Sequence, residues 1–517
     1  MTGKKIEYQR IQLSGMNFDI PPSMLEPNVY TQGNNVEVYD IGMRAIRGHS
    51  EAYGDRILAP EHLTFNKANG QFYWLYSGAD GIAVTDGQND SIISPVIPIS
   101  SIYPANWTDC NLNGLIVLNN EVDAPIWWDN VPATPMQPLP GWDPLQRCAS
   151  MRSYNYFLIA MNVNDGVSDF PSLLAWSDAA EPGSIPQSWT PLPENSAGFN
   201  TLSDTIGALV DGIQFRDSFF LFKEHSTFIM DFIGGNLVFS FRKVFTTSGI
   251  LSQNCAAEYL GNVAVLTDGD FIMTDGQQAD SLIDKRMRKW LFNNIDSDNY
   301  AMSFVTSYHQ ENQIWCCFPG NGSTECNLAL VWDATDNKFS IRDLYPPTPH
   351  IARGQIGGLT AIINWDDDPE VWDEDTTTWD QSIFNPTQDA LLQADRTALL
   401  TYAINEGIDW NGVPIHSRLE RTGLDFGDVH RLKLVKGIIP RIVGEAGLEL
   451  TIRVGSAPND SGEYTWTPPH TFIIGQPQIV SVFVTGRFIA YSIESERSQK
   501  SWGIAGVEFQ FDWQGLY

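Results

Sequence analysis

The chain has 517 residues, of which 12% are aromatic and only 18% charged, and its 62 acidic residues outnumber 31 Lys and Arg to give a net charge of −31. This length exceeds what one ordinary hydrophobic core organises, so we expect two or three domains. So acidic a chain is expected to be soluble and excludes nucleic-acid binding by neutralisation of phosphates. An acidic wall could still enclose DNA, because it repels a strand that has to slide.

Residues 1–18 contain no apolar stretch typical of a secretory signal, and no run of about 18 apolar residues predicts a membrane-spanning helix. The cysteines show no paired CxxC spacing that would indicate zinc. We therefore expect free, mostly buried thiols in a protein made in a reducing cytoplasm. The six cysteines are Cys110, Cys148, Cys255, Cys316, Cys317 and Cys326.

Residues 1–55 are predicted to form an extended N-terminal arm. Pro21-Pro22 and Pro27 keep this segment out of helices and central strands, and a short strand is expected at residues 36–40. An arm of this length is expected to pack on another domain or on a neighbouring subunit.

Residues 56–415 carry recurring strand and hairpin signals. Apolar, aromatic runs within residues 219–232 flank the polar turn Lys223–Ser226, and those within residues 263–273 flank the turn Thr267–Asp270. The Asp-Gly of the second turn supplies the positive φ that tight hairpin turns need. These hairpins predict the wall of a repetitive β-structure.

A weak Trp-Asp repeat suggests how the hairpins are grouped. Trp128, Trp176, Trp332 and Trp365 each precede an acidic or polar pair, with 48 positions between the first two and 156 between the second and third, close to three such units. Periods of about 40–50 residues with several strands each are typical of propeller blades. The alternative is that Trp-Asp is only a favourable strand end. The spacing favours a β-propeller-like domain.

The composition changes near residue 416. Residues 418–517 hold 10 Lys and Arg and 11 acids, so 10 − 11 = −1 and nearly all of the −31 lies earlier in the chain. Alternating strands predict a C-terminal β-sandwich over residues 416–517. Just before it, residues 388–402 fit a helix or a hairpin, and the β-rich surroundings favour the hairpin.

Residues 365–380 form an acidic, Trp-rich segment with eight acids and no base. Asp373-Glu374-Asp375 could ligate a hard cation such as calcium. The EF-hand spacing and its central Gly are absent, however, so a solvated acidic loop anchored by Trp is the favoured interpretation.

Lys285, Arg286, Arg288 and Lys289, followed by Trp290, form the one basic cluster in the acidic part of the chain. One hypothesis is a docking patch for an acidic partner, for which a neighbouring copy of this protein would qualify. The favoured interpretation is a solvated helix face.

The sequence contains no constellation typical of catalysis. The eight histidines are scattered, and no HExxH, G-x-S-x-G, Walker or dinucleotide-binding motif is present. Any two acids of so acidic a chain could be proposed as a glycosidase pair, so the sequence does not indicate one. We expect no enzyme, no metal site and no cofactor.

The order of several signatures resembles the tail hub, also called nozzle or packaged-DNA-stabilisation, proteins of short-tailed bacteriophages (podovirus tail tube components). The stretches that carry this resemblance are Asn34-Asn35-Val36 through Arg44 and Gly48, Leu174–Asp178 with Trp189, Phe222–Thr227, Ser248-Gly249, the Thr267-Asp268-Gly269 and Thr274-Asp275-Gly276 hairpins, and Tyr464-Thr465-Trp466, Thr485-Gly486-Arg487, Trp502 and Gly515. They span most of the chain, and the resemblance lies in their order.

The resemblance implies a structural virion protein of the tail, made in the host cytoplasm. It implies a β-propeller hub in a homo-oligomeric ring, expected to be a hexamer, below the portal-adaptor proteins and beside tail fibre, spike or needle proteins. Genomic DNA would pass along the ring axis without sequence-specific binding. In this setting a channel or gate loop is a hypothesis for Asp366, Asp367, Asp368, Asp373, Glu374 and Asp375.

The main alternative function is a glycan-binding or glycan-cleaving β-propeller with an accessory sandwich. It would need an exposed aromatic cleft and a pair of carboxylates about 5–10 Å apart. A surface adhesion module is a further alternative, and it would be expected to carry a signal peptide.

Overall fold

The protein is described here by a computed structural model that covers residues 7–12, 15–39, 42–68, 70–100, 103–235, 237–356, 389–460, 462–476, 479–496 and 501–516. Within these residues the fold is all-β apart from one α-helix, α1 (Arg288–Asn294), and 3₁₀ turns at Pro22–Met24, Pro104–Asn106, Tyr300–Met302 and His309–Glu311. The N-terminal strands are β1 (Glu7–Gln12), β2 (Gly15–Met16), β3 (Val29–Tyr30), β4 (Gln32–Asn34), β5 (Val36–Tyr39), β6 (Gly42–Ala45) and β7 (His49–Glu51).

Six groups of four antiparallel strands and one group of three follow in chain order. These are β8 (His62–Ala68), β9 (Gln71–Gly78), β10 (Gly81–Thr85) and β11 (Asp90–Ile92); β12 (Thr108–Leu112), β13 (Leu115–Asn119), β14 (Ile126–Trp128) and β15 (Gln137–Pro138); β16 (Arg147–Tyr154), β17 (Phe157–Asn164), β18 (Asp169–Trp176) and β19 (Gly198–Thr201); β20 (Leu209–Phe215), β21 (Ser218–Lys223), β22 (Thr227–Phe232) and β23 (Phe239–Phe245); β24 (Ala256–Tyr259), β25 (Asn262–Leu266), β26 (Phe271–Thr274) and β27 (Ala279–Ser281); β28 (Phe304–Tyr308), β29 (Gln313–Phe318), β30 (Cys326–Asp333) and β31 (Lys338–Thr348); and β32 (Ile351–Gln355), β33 (Asp389–Asp395) and β34 (Leu400–Ile404).

These groups are the seven blades of a β-propeller, which confirms the predicted fold class. The first strand of each blade is innermost, and the first strands of neighbouring blades contact one another around an axis. β32 of blade seven contacts β8 of blade one, so the ring is closed. Blade seven obtains its fourth strand from the N-terminal segment, because β7 pairs with β34.

Short turns with positive φ build the blades. The first and second strands of blades two to five are joined by two-residue turns that begin at Asn113, Asn155, Arg216 and Leu260, each with φ between 46° and 54°. The predicted turns at Lys223–Ser226 and Thr267–Asp270 join β21 to β22 and β25 to β26. The positive φ expected at Gly269 was wrong, because this turn is instead held by the Thr267 hydroxyl, which accepts hydrogen bonds from the N–H groups of Gly269 and Asp270. Residues 389–404 form the favoured hairpin rather than a helix.

The Trp-Asp repeat marks equivalent positions in different blades. Trp128, Trp176 and Trp332 all lie at or beside the end of the third strand, in blades two, three and six. The interval of 156 residues between the second and third therefore spans three blades, as the spacing predicted. Trp365 lies outside the described residues.

The C-terminal strands form the predicted β-sandwich. They are β35 (Ser417–Leu424), β36 (Arg431–Gly444), β37 (Glu449–Ala457), β38 (Thr465–Trp466), β39 (His470–Ile473), β40 (Val480–Gly486), β41 (Phe488–Ser495) and β42 (Trp502–Leu516). One sheet has the order β38-β37-β41-β35-β4, and the facing sheet contains β6, β42, β36 and β40. Apolar side chains of both sheets share one core.

The N-terminal segment joins the two domains. β5 pairs with β31 of blade six and with β6, and β6 pairs with β42, so one ten-stranded sheet runs from the propeller into the sandwich. The buried Asn35 amide donates to an Asp343 carboxylate oxygen (2.7 Å) and to the His416 carbonyl oxygen (2.8 Å). This part of the Asn34-Asn35 motif therefore ties the segment to the last strand of blade six and to the start of the sandwich.

All six cysteines are buried and none forms a disulfide, as expected. Burial raises the pKa of Cys110 to about 12 and also holds the pKa values of the other five thiols above their ordinary value. Within the described residues, no helix is long and apolar enough to cross a membrane.

We expect Ala52→Pro to destabilise closure of the propeller. The N–H of the fully buried Ala52 donates to the Thr401 carbonyl oxygen (2.8 Å), and proline would leave that oxygen unpaired. An unpaired buried carbonyl costs about 1–3 kcal/mol, which denaturant unfolding would detect. The exposed neighbour provides a control, since Glu51→Ala should change stability by no more than about 0.5 kcal/mol. Equal effects of the two substitutions would contradict this account of closure.

Candidate functional site

The first strands of all seven blades line a polar cavity on the propeller axis. Its volume is about 480 Å³, and every blade contributes to its wall. The charged groups in this wall are Asp109, Arg152, Asp211, His350 and Arg353. Each of these side chains lies on a different blade or linker. Whether they contact one another therefore determines whether the propeller axis is open.

Arg152 links four successive blades beside the axis. Its Nε and Nη2 atoms donate to the two carboxylate oxygens of Asp211 at 2.8 and 2.6 Å. Its other donors reach the Asp109 carbonyl oxygen (2.8 Å) and the Asn254 side-chain oxygen (2.7 Å). Burial disfavours the charged guanidinium, but Asp211 outweighs that effect and raises the pKa of Arg152. This bidentate, buried pair is of the strong, geometrically specific kind.

Two stacked histidines extend this network on the side of blades one and seven. The rings of His62 and His350 lie 4.1 Å apart, and His62 Nε2 is 2.8 Å from an Asp109 carboxylate oxygen. His350 Nδ1 accepts a hydrogen bond from the Leu63 N–H (3.2 Å) and is therefore unprotonated at that atom. Burial lowers the pKa of His350 well below its ordinary value. Burial acts to raise the pKa of Asp109, but His62 outweighs it and the net pKa is lowered.

Four of these groups, Asp109, Arg152, Asp211 and His350, have partners on neighbouring blades, whereas Arg353 pairs with Asp389 within blade seven. Their donors and acceptors hold neighbouring blades together, and these contacts occupy the groups that would otherwise bind a ligand. In the part of the chain that the structure describes, no group of three or more His, Cys, Asp or Glu side chains could hold a metal ion.

One face of the propeller carries accessible acids from blades one to five. The loops between second and third strands lie on the same face as the segments that lead into first strands, as the hydrogen bond from the Ala79 N–H to Glu61 (3.2 Å) illustrates. We call this surface the acidic face. At or beside these loops, blades one to five carry the accessible acids Asp80, Glu121, Asp165, Glu224 and Asp268, whereas the acids of blades six and seven, Glu325 and Asp395, are buried.

A cavity of about 450 Å³ opens on the acidic face. Glu121, Glu224, His225 and Asp268 line it, and His225 Nδ1 is 3.5 Å from an Asp268 carboxylate oxygen. Burial raises the pKa of Glu121, and its backbone has a φ of 67°, a left-handed conformation that a glutamate rarely adopts. On the blade-seven side of the face, by contrast, the Arg396 guanidinium lies 3.5 Å from a Glu61 carboxylate oxygen and also forms an ion pair with Glu325. It therefore partly neutralises the charge there.

The motif Phe222–Thr227 is structural. Lys223 is fully buried, and its ammonium donates to the carbonyl oxygens of Leu202 (2.8 Å) and Thr205 (2.7 Å). Burial lowers the pKa of this lysine. A Cβ on Gly249 would lie 2.1 Å from the Lys223 carbonyl oxygen, so the Ser248-Gly249 motif needs glycine to approach this turn.

The basic cluster contacts the N-terminal segment of the same chain. Both carboxylate oxygens of Asp19 accept hydrogen bonds at 3.0 Å, one from the Arg288 N–H and one from the Lys289 N–H at the start of α1. The Arg288 guanidinium also forms ion pairs with Asp270 and Asp284. The side chains of Lys285 and Lys289 are exposed. As a docking patch for another molecule, the cluster stays a prediction.

The acidic loop predicted at Asp366, Asp367, Asp368, Asp373, Glu374 and Asp375 lies outside the described residues. The axial cluster and the acidic face were not found from the sequence. The signal for the face was present, because an acid stands at each of the seven loops, but it becomes visible only once the strands are assigned to blades.

No protein-family model matches the sequence, and no curated protein matches it either. Solved structures that resemble the chain include BBS1N in complex with ARL6DN (9% identity, 70% of this chain and 97% of that chain, TM-score 0.39). Others are the WD40 β-propeller domain of Doa1 (10%, 70% and 99%, 0.34) and a variant of Synechocystis apocarotenoid oxygenase (11%, 81% and 90%, 0.32). Likenesses this distant carry no indication of function.

We expect Arg152→Met to cost about 3–5 kcal/mol, because it leaves the buried Asp211 carboxylate without its partner. The double variant Arg152→Met/Asp211→Asn should recover most of the loss, since the amide oxygen can still accept the Asn254 N–H. As a control, Arg242→Met breaks an exposed pair with Asp231 (3.4 Å) and should cost no more than about 1 kcal/mol. Denaturant unfolding at pH 7 distinguishes these values, and a double variant as unstable as Arg152→Met would refute the pairing argument.

We expect His350 to make stability depend on pH below about 6.5. The unfolded chain binds a proton at this histidine below its ordinary pKa of about 6.5, whereas the folded chain does not, so stability falls as pH falls through that window. His350→Asn preserves an acceptor for the Leu63 N–H and should reduce the slope by up to about 1.4 kcal/mol per pH unit. Unfolding curves between pH 5 and 7 test this, and identical slopes for the two proteins would contradict it.

Proposed function

We propose that this chain is a structural protein of a short bacteriophage tail, a hub or nozzle located below the portal-adaptor. Several copies would form a ring around the DNA channel, help to retain packaged DNA and conduct it at ejection. The observation that carries this proposal is the acidic face, to which blades one to five contribute accessible acids. It adds to the resemblance described above, which supplies the kind of assembly.

The charge of the chain supports a wall rather than a binding site for DNA. Of the net −31, the sandwich segment 418–517 holds −1, which leaves −30 on residues 1–417. Phosphates of a passing duplex would be repelled by such a surface, so DNA could move without sticking. Buried ion pairs and hydrogen bonds between neighbouring blades hold this wall together.

The channel in this proposal is the space enclosed by several copies. The axis of a single propeller contains a cavity of only about 480 Å³, and the Arg152–Asp211 pair joins blades three and four in its wall. The hub function therefore requires oligomerisation. It requires no catalysis and no cofactor.

One observation favours a second candidate, a glycan-binding or glycan-cleaving propeller. The cavity on the acidic face brings Glu121 near Glu224 and Asp268, and burial raises the pKa of Glu121, as is required of a general acid in glycoside hydrolysis. If this candidate is correct, Glu121→Gln abolishes release of sugar from bacterial polysaccharide while the chain stays folded.

The hub proposal is tested by sedimentation and electron-microscope images of the full chain, alone and mixed with a portal–adaptor ring. We expect a ring with an axial hole, or a chain that joins the complex below the connector. The hub proposal would be overturned by a chain that does not bind the connector and that releases sugar from bacterial polysaccharide only when Glu121 is intact. A chain that neither binds the connector nor releases sugar would also overturn it.

A further inference from the structure

An exposed apolar hairpin tip projects from the propeller on the face opposite the acidic face. The turn between β22 and β23 of blade four carries Phe232, Ile233 and Leu237, of which Ile233 is 55% and Leu237 73% exposed. Tyr156, in the turn that joins β16 to β17 of blade three, is also exposed, and its neighbour Phe157 packs on Phe232 (5.8 Å between ring centroids). Hairpin turns are usually polar, so three large apolar side chains at one tip need an explanation.

The tip has no charge in a chain that carries −31. Residues 232–238, Phe-Ile-Gly-Gly-Asn-Leu-Val, contain neither acid nor base. Two adjacent glycines, Gly234 and Gly235, both with φ of 70°, allow the narrow turn that presents the side chains. Most surface contacts between two copies of this protein would bring acids together, whereas this tip could approach another copy without that cost.

An apolar cavity lies at the acidic face, on the outer part of blades one to three. Its volume is about 380 Å³, and its wall is mostly aliphatic, aromatic or proline, with Trp107, Ile126, Met136 and Leu139 at its base. Val96 and Ile97, in the linker between blades one and two, stand at its rim and are 88% and 72% exposed. A cavity of this size and composition suits a few apolar side chains.

The two charged residues of the cavity already form hydrogen bonds within the same chain. The Asp123 carboxylate accepts hydrogen bonds from the Ser100 N–H and hydroxyl at 2.8 and 2.7 Å. Arg147 donates to the carbonyl oxygens of Val122 and Pro144 at 2.5 and 2.7 Å. The cavity therefore presents an apolar surface with its charges satisfied, and it matches the tip in chemistry.

We propose that the apolar tip of one copy inserts into the apolar cavity of the next copy of the same chain. The tip and the cavity lie on opposite faces and on different blades, so one molecule can use both at once. A contact of this kind is head to tail, and it closes into a ring or grows as a filament according to the rotation between copies. This inference rests on the proposed ring and names the surfaces that would build it.

Three variants of the full chain test the contact. Ile233→Asp/Leu237→Asp removes the tip, Val96→Asp/Ile97→Asp removes the rim, and Ile206→Asp places a charge at an unrelated isoleucine that is 89% exposed. All substituted side chains are exposed, so folding should persist, and circular dichroism and thermal unfolding check this. We expect the tip and rim variants each to weaken self-association roughly tenfold or more in sedimentation, and the Ile206→Asp control to leave it unchanged.

A mixing experiment isolates the head-to-tail geometry. The tip variant retains its cavity and the rim variant retains its tip, so together they should form one-to-one pairs and nothing larger.

Leu237→Cys and Ile97→Cys should likewise be joined by a short bismaleimide when mixed, because the six native cysteines are buried. Cross-linking of Leu237→Cys only to itself, or no cross-link at any protein concentration, would overturn the proposal. A tip variant that loses binding to anionic or neutral vesicles while it self-associates normally would overturn it in favour of a membrane contact.

The outcomes separate this inference from the proposed function. If both variants still form rings that join the connector, the tip–cavity contact is wrong and the hub proposal stands. If the cross-linked pairs form open filaments that ignore the connector, the contact is correct and the hub proposal is wrong.

Discussion

Closure of the propeller depends on one short strand taken from the N-terminal segment. Blade seven has only three strands of its own in sequence, and β7 supplies the fourth through pairing with β34. That same segment continues backwards into β6, β5 and β4, which belong to the sandwich or to the sheet that joins it to blade six. The same segment therefore closes the propeller ring and attaches the sandwich, and residues 32–51 are shared by both domains.

Carboxylate side chains have different roles at the propeller axis and on the acidic face. At the axis, the carboxylates of Asp109 and Asp211 pair with a histidine and an arginine, and these pairs hold neighbouring blades together. On the acidic face, Asp80, Glu224 and Asp268 are exposed and contribute to the field that surrounds the molecule. The same residue types thus stabilise the fold in one place and set the long-range electrostatics in the other, and burial decides which.

The sequence predicted features that depend on local pattern. The Lys223–Ser226 turn lies between two apolar, aromatic runs, and the intervals between Trp128, Trp176 and Trp332 report the length of a blade, so the hairpins and the propeller could be inferred. The pairing of Glu51 with Tyr402 could not, because nothing in either short strand specifies a partner 351 positions away. Asp19 likewise meets Arg288 only after folding, and the basic cluster showed no sign of that contact in its own sequence.

The sheet that joins the two domains is continuous but narrow. At the crossing from β31 to β5, Ile341 pairs with Val36 alone, and from β6 to β42 two residue pairs make the connection. A torque that turns the sandwich against the propeller would be concentrated on these few backbone bonds and on the Asn35 amide beside them. The junction is therefore the place in this sheet where a rotation between the two domains would be resisted by the fewest backbone bonds.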